Sequence, residues 1–328
     1  MKDLLTCSEN EKRNLKIGIL VLGAVLLLSN VRPLYEGISQ LSVWQTKPRQ
    51  AELSPNFRPP VYYEGELNDL GTVRFVTLDV LVLIYKKVGE FTLSPAELED
   101  AHRGVELARE FFWRNSNLQL NINPTFLEVD KMMPAELLDE QGKIWPKSGL
   151  LEEDLLQRGV EKNQYDCVFL LYPYSATVSG SGMGLKRLGK TSYSFASLPT
   201  EETAWIFARE LWYSINTVVY DRDPEEIEDW GALAGTLRQY SIQDPPKPYG
   251  KIYLTLDFDL DGVPDDEPMV PFYEVSLGLN RETSDSDGDG LEDKKEITAG
   301  IFKGTDFFLQ DTDGDGLKDG EDPDPFQK

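Results

Sequence analysis

Asp285, Asp287 and Asp289 alternate with small residues, and Gly290, Leu291, Asp293 and Glu296 follow. Counted from Asp285, side-chain oxygens fall at positions 1, 3, 5, 9 and 12 of a twelve-residue loop. That spacing wraps carboxylates around one hard cation. Position 7, here Leu291, turns in its backbone carbonyl, and glycine at position 6 allows the sharp bend. Asp311, Asp313, Asp315, Leu317, Asp319 and Asp322 repeat the pattern 26 residues later, with Asp at position 12. Asp257, Asp259, Asp261, Val263 and Asp265 begin a third copy nearer the N-terminus. Its twelfth residue is Pro268, which cannot ligate, so Asp266 or Glu267 would have to substitute. The expected ligand is calcium, which takes six to eight oxygens, whereas magnesium demands a rigid octahedron. The loops starting at Asp285 and Asp311 should fill first, and the one at Asp257 should be weaker. A solvated acidic linker would not place Gly at position 6 and an apolar residue at position 7 three times.

The charge distribution agrees. The 328-residue chain carries a formal net charge of −24. From Lys251 to Lys328 there are 22 Asp or Glu against 7 Lys or Arg, so most of the excess sits there. Charge at that density repels itself, and bound cations relieve it. The same balance excludes nucleic acid as a partner, because phosphate binding needs clustered Lys and Arg. A composition 40% hydrophobic and 11% aromatic excludes a wholly disordered chain.

The stretch from about Asp257 to Pro325, above all the string DTDGDGLKDGEDPDP, resembles bacterial thrombospondin type-three repeats, whose loops also look like those of dockerins. The resemblance implies that carboxylates at these positions hold calcium and organise an otherwise coil-like segment. Paired EF-hand helices are not expected, since Thr305-Asp306 and Pro323-Asp324-Pro325 flank the last loop.

The elements that precede the loops read as an α/β domain, with α+β as the alternative, over residues 61–243. Val73–Lys87 is a strand-like run. Ser94-Pro95-Ala96-Glu97 is a capping box with Pro at the first helical position, followed by Leu98, Ala101, Val105, Ala108 and Phe112 at helical spacing. Leu118–Val129 alternates as a strand, short helices are expected at Pro134–Glu140 and Leu150–Arg158, and Asp166–Tyr172 reads as a buried strand. A Gly/Ser loop at Ser179–Gly184, an edge strand at Ser194–Leu198 and a helix at Glu201–Asn216 complete the series. Strands interleaved with helices give the fold class. Residues 244–328 form the acidic repeat region.

The helix around Thr203–Asn216 resembles the active-site helix of a zinc metallopeptidase, where His-Glu-x-x-His places two imidazoles on one face and a Glu as base. In that alignment Arg209 and Tyr213 stand where the histidines would be, and Glu210 keeps the Glu position. The resemblance, over roughly Val73 to Trp230, implies a zincin-like domain that has lost its ligands. The chain has one histidine, His102, whereas zinc peptidase sites use two or three. Zinc hydrolysis is therefore not expected. Glu210, or the acids among Asp221, Asp223, Glu225, Glu226, Glu228 and Asp229, would have to support any non-zinc hydrolase.

At the N-terminus, Lys12, Arg13 and Lys16 precede an apolar run of thirteen residues, Ile17–Ser29. This matches a signal-peptide core and falls short of the ~20 residues of a full span. Residues 1–34 are expected to act as signal peptide or membrane anchor, with 35–60 a Pro-rich linker and the bulk of the chain outside the cytosol. Cys7 and Cys167 are not expected to pair. The expectation is an exported calcium-binding protein, membrane-anchored or secreted, with a catalytically inactive peptidase-like domain. Its role would be structural, adhesive or directed at a protein or glycan partner. The alternatives are the non-zinc hydrolase and a calcium-dependent regulator of a partner peptidase.

Overall fold

The apolar run that opens the domain becomes its central strand, β1 (Thr72–Val88). Nearly every residue from Phe75 to Tyr85 is buried, so β1 lacks the in–out alternation of a half-exposed strand and is covered on both faces. The computed structural model describes residues 71–134, 148–173, 191–198, 203–221, 227–239 and 249–328. The expected helix at Pro134–Glu140, the Gly/Ser loop at Ser179–Gly184 and the N-terminal segment fall wholly or almost wholly outside these residues.

β1 is followed by the short β2 (Phe91–Thr92), α1 (Pro95–Asn115), β3 (Leu120–Met132), α2 (Ser148–Gln157), β4 (Cys167–Pro173) and β5 (Ser192–Leu198). Then come α3 (Thr203–Ser214), continued by a π-helical turn over Ile215–Val219, α4 (Trp230–Gln239) and β6 (Lys251–Leu256). α5 (Glu274–Leu277) and α6 (Asp293–Thr298) are short helices inside the acidic region. The mixed sheet makes this an α/β fold. β3 runs parallel to one edge of β1, and β4 and then β5 add in parallel on the other.

β6 joins the same sheet antiparallel, from Thr72↔Leu256 to Thr77↔Lys251. Residues 76 and 77 of β1 pair with both β3 and β6, so β6 lies on the β4 edge, end to end with β4. Asp166 seals that junction. Its carboxylate accepts from the amides of Asp79 and Gly250, each at 2.9 Å, while Lys251 reaches Asp79 at 2.5 Å.

Two cores follow from the two faces of β1. Val76, Leu78, Val80, Val82 and Ile84 pack with α1, α3 and α4. Leu81, Leu83 and Tyr85 pack with α2 on the opposite face. α1 starts at the expected capping box: the Glu97 amide donates to Ser94 Oγ, and the Ser94 amide donates to the Glu97 carboxylate. A Cβ added at Gly104 would meet the Ala204 amide nitrogen at 3.1 Å, so glycine lets α1 and α3 approach closely.

A third core ties the acidic region to this body. Phe75, Trp113 and Leu118 pack with Tyr253, Val263, Val270, Phe272, Leu279 and Ile297. Trp113 Nε1 donates to the Phe272 carbonyl at 3.1 Å, and Asn115 donates to the Ile301 carbonyl at 2.9 Å. Arg114 donates to the Ile297 carbonyl and lies 4.9 Å from the Phe272 ring centre. Its burial pulls the guanidinium down to about 10. The repeats are thus docked along α1 rather than trailing from it. Among the described residues no helix is long and apolar enough to cross a membrane.

Candidate metal centre

Each acidic loop is built by the same four local bonds. The carboxylate at position 1 accepts from the amide at position 6: Gly262 to Asp257 at 3.1 Å, Gly290 to Asp285 at 3.0 Å, Gly316 to Asp311 at 2.9 Å. Position 3 accepts from position 5, at 3.2 Å on Asp259, 3.1 Å on Asp287 and 2.9 Å on Asp313. Position 5 accepts from position 7, Val263, Leu291 or Leu317, at 2.6, 2.6 and 2.7 Å. Position 9 accepts from position 2, at 2.9 Å on Asp265 and 2.8 Å on both Asp293 and Asp319. These are Asx-type turns, in which a short carboxylate replaces a backbone acceptor. The glycines at position 6 sit at φ of 92°, 102° and 103°, where a side chain would be strained.

At several positions these bonds use one carboxylate oxygen and leave the other with no donor, whereas both oxygens of Asp285, Asp293, Asp311 and Asp319 accept. Asp257 Oδ1, Asp259 Oδ2, Asp261 Oδ2, Asp287 Oδ2, Asp289 Oδ2 and Asp313 Oδ2 are all buried without a hydrogen bond. In each loop, ligand oxygens from positions 1, 3 and 5 lie within 4.8 Å of one another. That is the span allowed around one cation with bonds of about 2.4 Å. An isolated buried carboxylate oxygen costs several kcal/mol unless something positive meets it. The donor set is all oxygen, which fits calcium better than zinc, a metal that prefers nitrogen and sulfur.

Two more clusters lie between loops. Asp261, Glu274 and Asp293 form one, and Asp289, Glu296 and Asp319 the other. Burial is the main cause that raises Asp261, Glu274, Asp293 and Glu296, and neighbouring carboxylates add to it. Asp261 is pushed up to about 7, and Glu274 and Glu296 each to about 8. Glu296, at position 12 of its loop, also accepts from Thr305 Oγ1 at 3.0 Å. Asp322, at position 12 of the last loop, is half-buried, close enough to Asp313 to raise its pKa, and accepts from the Asp324 amide at 2.8 Å.

The loop spacing did not point to Glu274, which lies six residues beyond position 12 of the first loop. Nor did it show that the position-9 acids Asp293 and Asp319 stand beside the carboxylates of the preceding loop. The available signal was an isolated Glu at the start of a short helix just after a loop with Pro at position 12.

Helix α3 offers a different picture. Glu210 is 1% exposed, and Arg209 donates to its Oε1 at 2.9 and 2.6 Å. Tyr213 Oη accepts the Ile227 amide at 3.0 Å. The two residues at the imidazole positions are therefore engaged in an ion pair and a backbone contact. His102 is a partly exposed residue of α1, stacked on Phe126 and 3.0 Å from Glu128. Of the acids near residue 225, Asp221, Glu228 and Asp229 are exposed, and Asp229 accepts the Ala232 amide at 2.8 Å near the start of α4. Asp223, Glu225 and Glu226 lie outside the described residues.

A comparison with models of known protein families finds no match to this chain, and a comparison with curated proteins finds none either.

Proposed function

We propose that this is an exported calcium-binding protein whose C-terminal repeats take up calcium to order the surface they build on α1. The observation that carries the reading is the threefold recurrence of buried carboxylate oxygens that receive no hydrogen bond, at the loop positions where calcium takes its ligands. Extracellular calcium modules typically bind at about 10⁻⁴–10⁻³ M. That range fits a chain whose N-terminal segment, Ile17–Ser29, serves as a signal or membrane anchor. Calcium here is structural: it supplies the positive charge that lets the acids stay ionised while buried.

The central domain reads as a zincin-like scaffold without catalysis. Glu210 is enclosed and paired with Arg209, which supports a packing role rather than that of a general base. The protein would then act by presenting surfaces to a protein or glycan partner, with the repeats as its calcium-dependent part. Calorimetric titration of the full chain with calcium should show at least two sites, and Asp287→Ala should remove one. Absence of heat up to millimolar calcium would overturn the reading, and zinc at stoichiometric occupancy in metal analysis would overturn its second half.

A further inference from the structure

The first loop carries Pro268 where the other two carry a carboxylate, yet a carboxylate reaches its centre from further along the chain. Glu274 begins α5 and is 0% exposed, and neither of its oxygens receives a hydrogen bond. The loop itself holds it in place. The Glu274 amide donates to the Pro264 carbonyl at 3.0 Å and the Val275 amide to the Asp265 carbonyl at 3.1 Å. Gly278, at φ 81°, then ends the helix by donating to the Glu274 carbonyl at 2.8 Å.

Glu274 stands to the first loop as Glu296 stands to the second. The acids whose charges act on Glu274 are Asp259, Asp261 and Asp265, at positions 3, 5 and 9. Those acting on Glu296 are Asp287, Asp289 and Asp293, at the same positions. Each glutamate also lies within 4.8 Å of a position-5 aspartate and of a position-9 aspartate from the next loop: Asp261 and Asp293 for Glu274, Asp289 and Asp319 for Glu296.

We propose that Glu274 completes a full calcium site in the first loop, replacing the ligand that Pro268 cannot provide, and that Asp293 closes this site from the second loop as Asp319 closes the second site from the third. This inference rests on the calcium reading above. It makes the first loop an equal member of the series. It also links the sites, because each of the first two straddles a pair of loops. A carboxylate buried without a donor, held within ligand distance of two others, is what a cation of calcium's size needs to complete its oxygen shell.

The test is calorimetry of the full chain, stripped with chelator and titrated with calcium chloride. The wild type should bind three ions and Glu274→Gln two, with near-ultraviolet circular dichroism at saturating calcium reporting the fold. Glu274→Asp keeps the charge but shortens the reach. It should bind three ions with one site weakened at least tenfold, and it decides the matter if the glutamine variant does not fold. A second arm starts from Asp311→Ala/Asp315→Ala, which should bind two ions. Adding Asp319→Asn to it should weaken one of those two at least tenfold. Wild-type stoichiometry and affinity in both Glu274 variants would overturn the role of Glu274. An unchanged second site after Asp319→Asn would overturn the straddling arrangement. A wild-type chain that binds no calcium would instead defeat the underlying reading.

Discussion

The molecule buries glutamate in two regions and treats it differently in each. In α3, Glu210 is 1% exposed and receives the guanidinium of its sequence neighbour Arg209. In the repeats, Glu274 and Glu296 are 0% exposed, and the charges that shift them are those of other carboxylates. A charge in a low-dielectric interior needs an opposite charge nearby. Helix α3 carries its own. The repeats gather acids of one sign and leave the positive charge to solution. A buried acid beside a fixed cation is part of a core, whereas buried acids facing one another could hold a cation.

Removal of divalent ions tests this difference most strongly. At calcium a hundredfold above its Kd, each site adds about 2.7 kcal/mol, so three sites add roughly 8 kcal/mol. Thermal melting in chelator should therefore fall far below melting in calcium. Hydrogen exchange should show protection lost first across residues 257–322, while β1 and β4 hold. Equal melting temperatures in the two conditions would break the comparison.

The other side of the comparison predicts a calcium-independent effect. Arg209→Met leaves the Glu210 carboxylate without its guanidinium, a change that typically costs about 3–5 kcal/mol. The double variant Arg209→Met/Glu210→Leu removes both charges and should recover most of that loss. Urea unfolding of the three proteins, with and without calcium, measures it. A single variant that unfolds like the wild type would mean that Arg209 does not stabilise Glu210.

How far these two regions could be read from sequence follows from how local their geometry is. The twelve-residue loops were legible because every bond that shapes them spans five or fewer residues, apart from the position-9 clip back to position 2. The buried run of β1 and the Ser94 capping box were legible for the same reason. Contacts between loops were not, because no spacing within one repeat says that Asp293 faces Asp261. Likewise Lys251–Leu256 read as the start of the acidic region, yet its consecutive Ile252, Tyr253 and Leu254 pair with β1. The neighbouring charge hid a strand whose partner lies some 180 residues earlier.

Within the repeats, a change of sign sharpens the argument. Above the value of about 8 to which burial pushes Glu296, roughly at pH 9, Glu296→Gln removes one negative charge from a buried cluster but keeps an acceptor for Thr305. In chelator this should stabilise the protein by roughly 1–2 kcal/mol, since an unpaired buried charge is costly. In saturating calcium it should destabilise by a similar amount, because a ligand is lost. Melting of one variant under two conditions reads both directions. A shift of the same sign in each would place Glu296 in an ordinary structural role.

The smallest effect separates the first loop from its two copies. Position 4 is Gly288 and Gly314 in the later loops, each at φ 75°, but Leu260 in the first, at φ 68°. The left-handed region costs a residue with a Cβ about 1–2 kcal/mol, and part of that is offset because glycine loses more entropy on folding. Leu260 is 70% exposed, so its side chain contributes little packing. Leu260→Gly should therefore raise stability by about 0.5–1 kcal/mol, in calcium and in chelator alike. The reverse changes, Gly288→Leu and Gly314→Leu, should each lower it by a similar amount. If Leu260→Gly instead weakened calcium binding at one site, the leucine itself, and not merely the loop that tolerates it, would belong to the site.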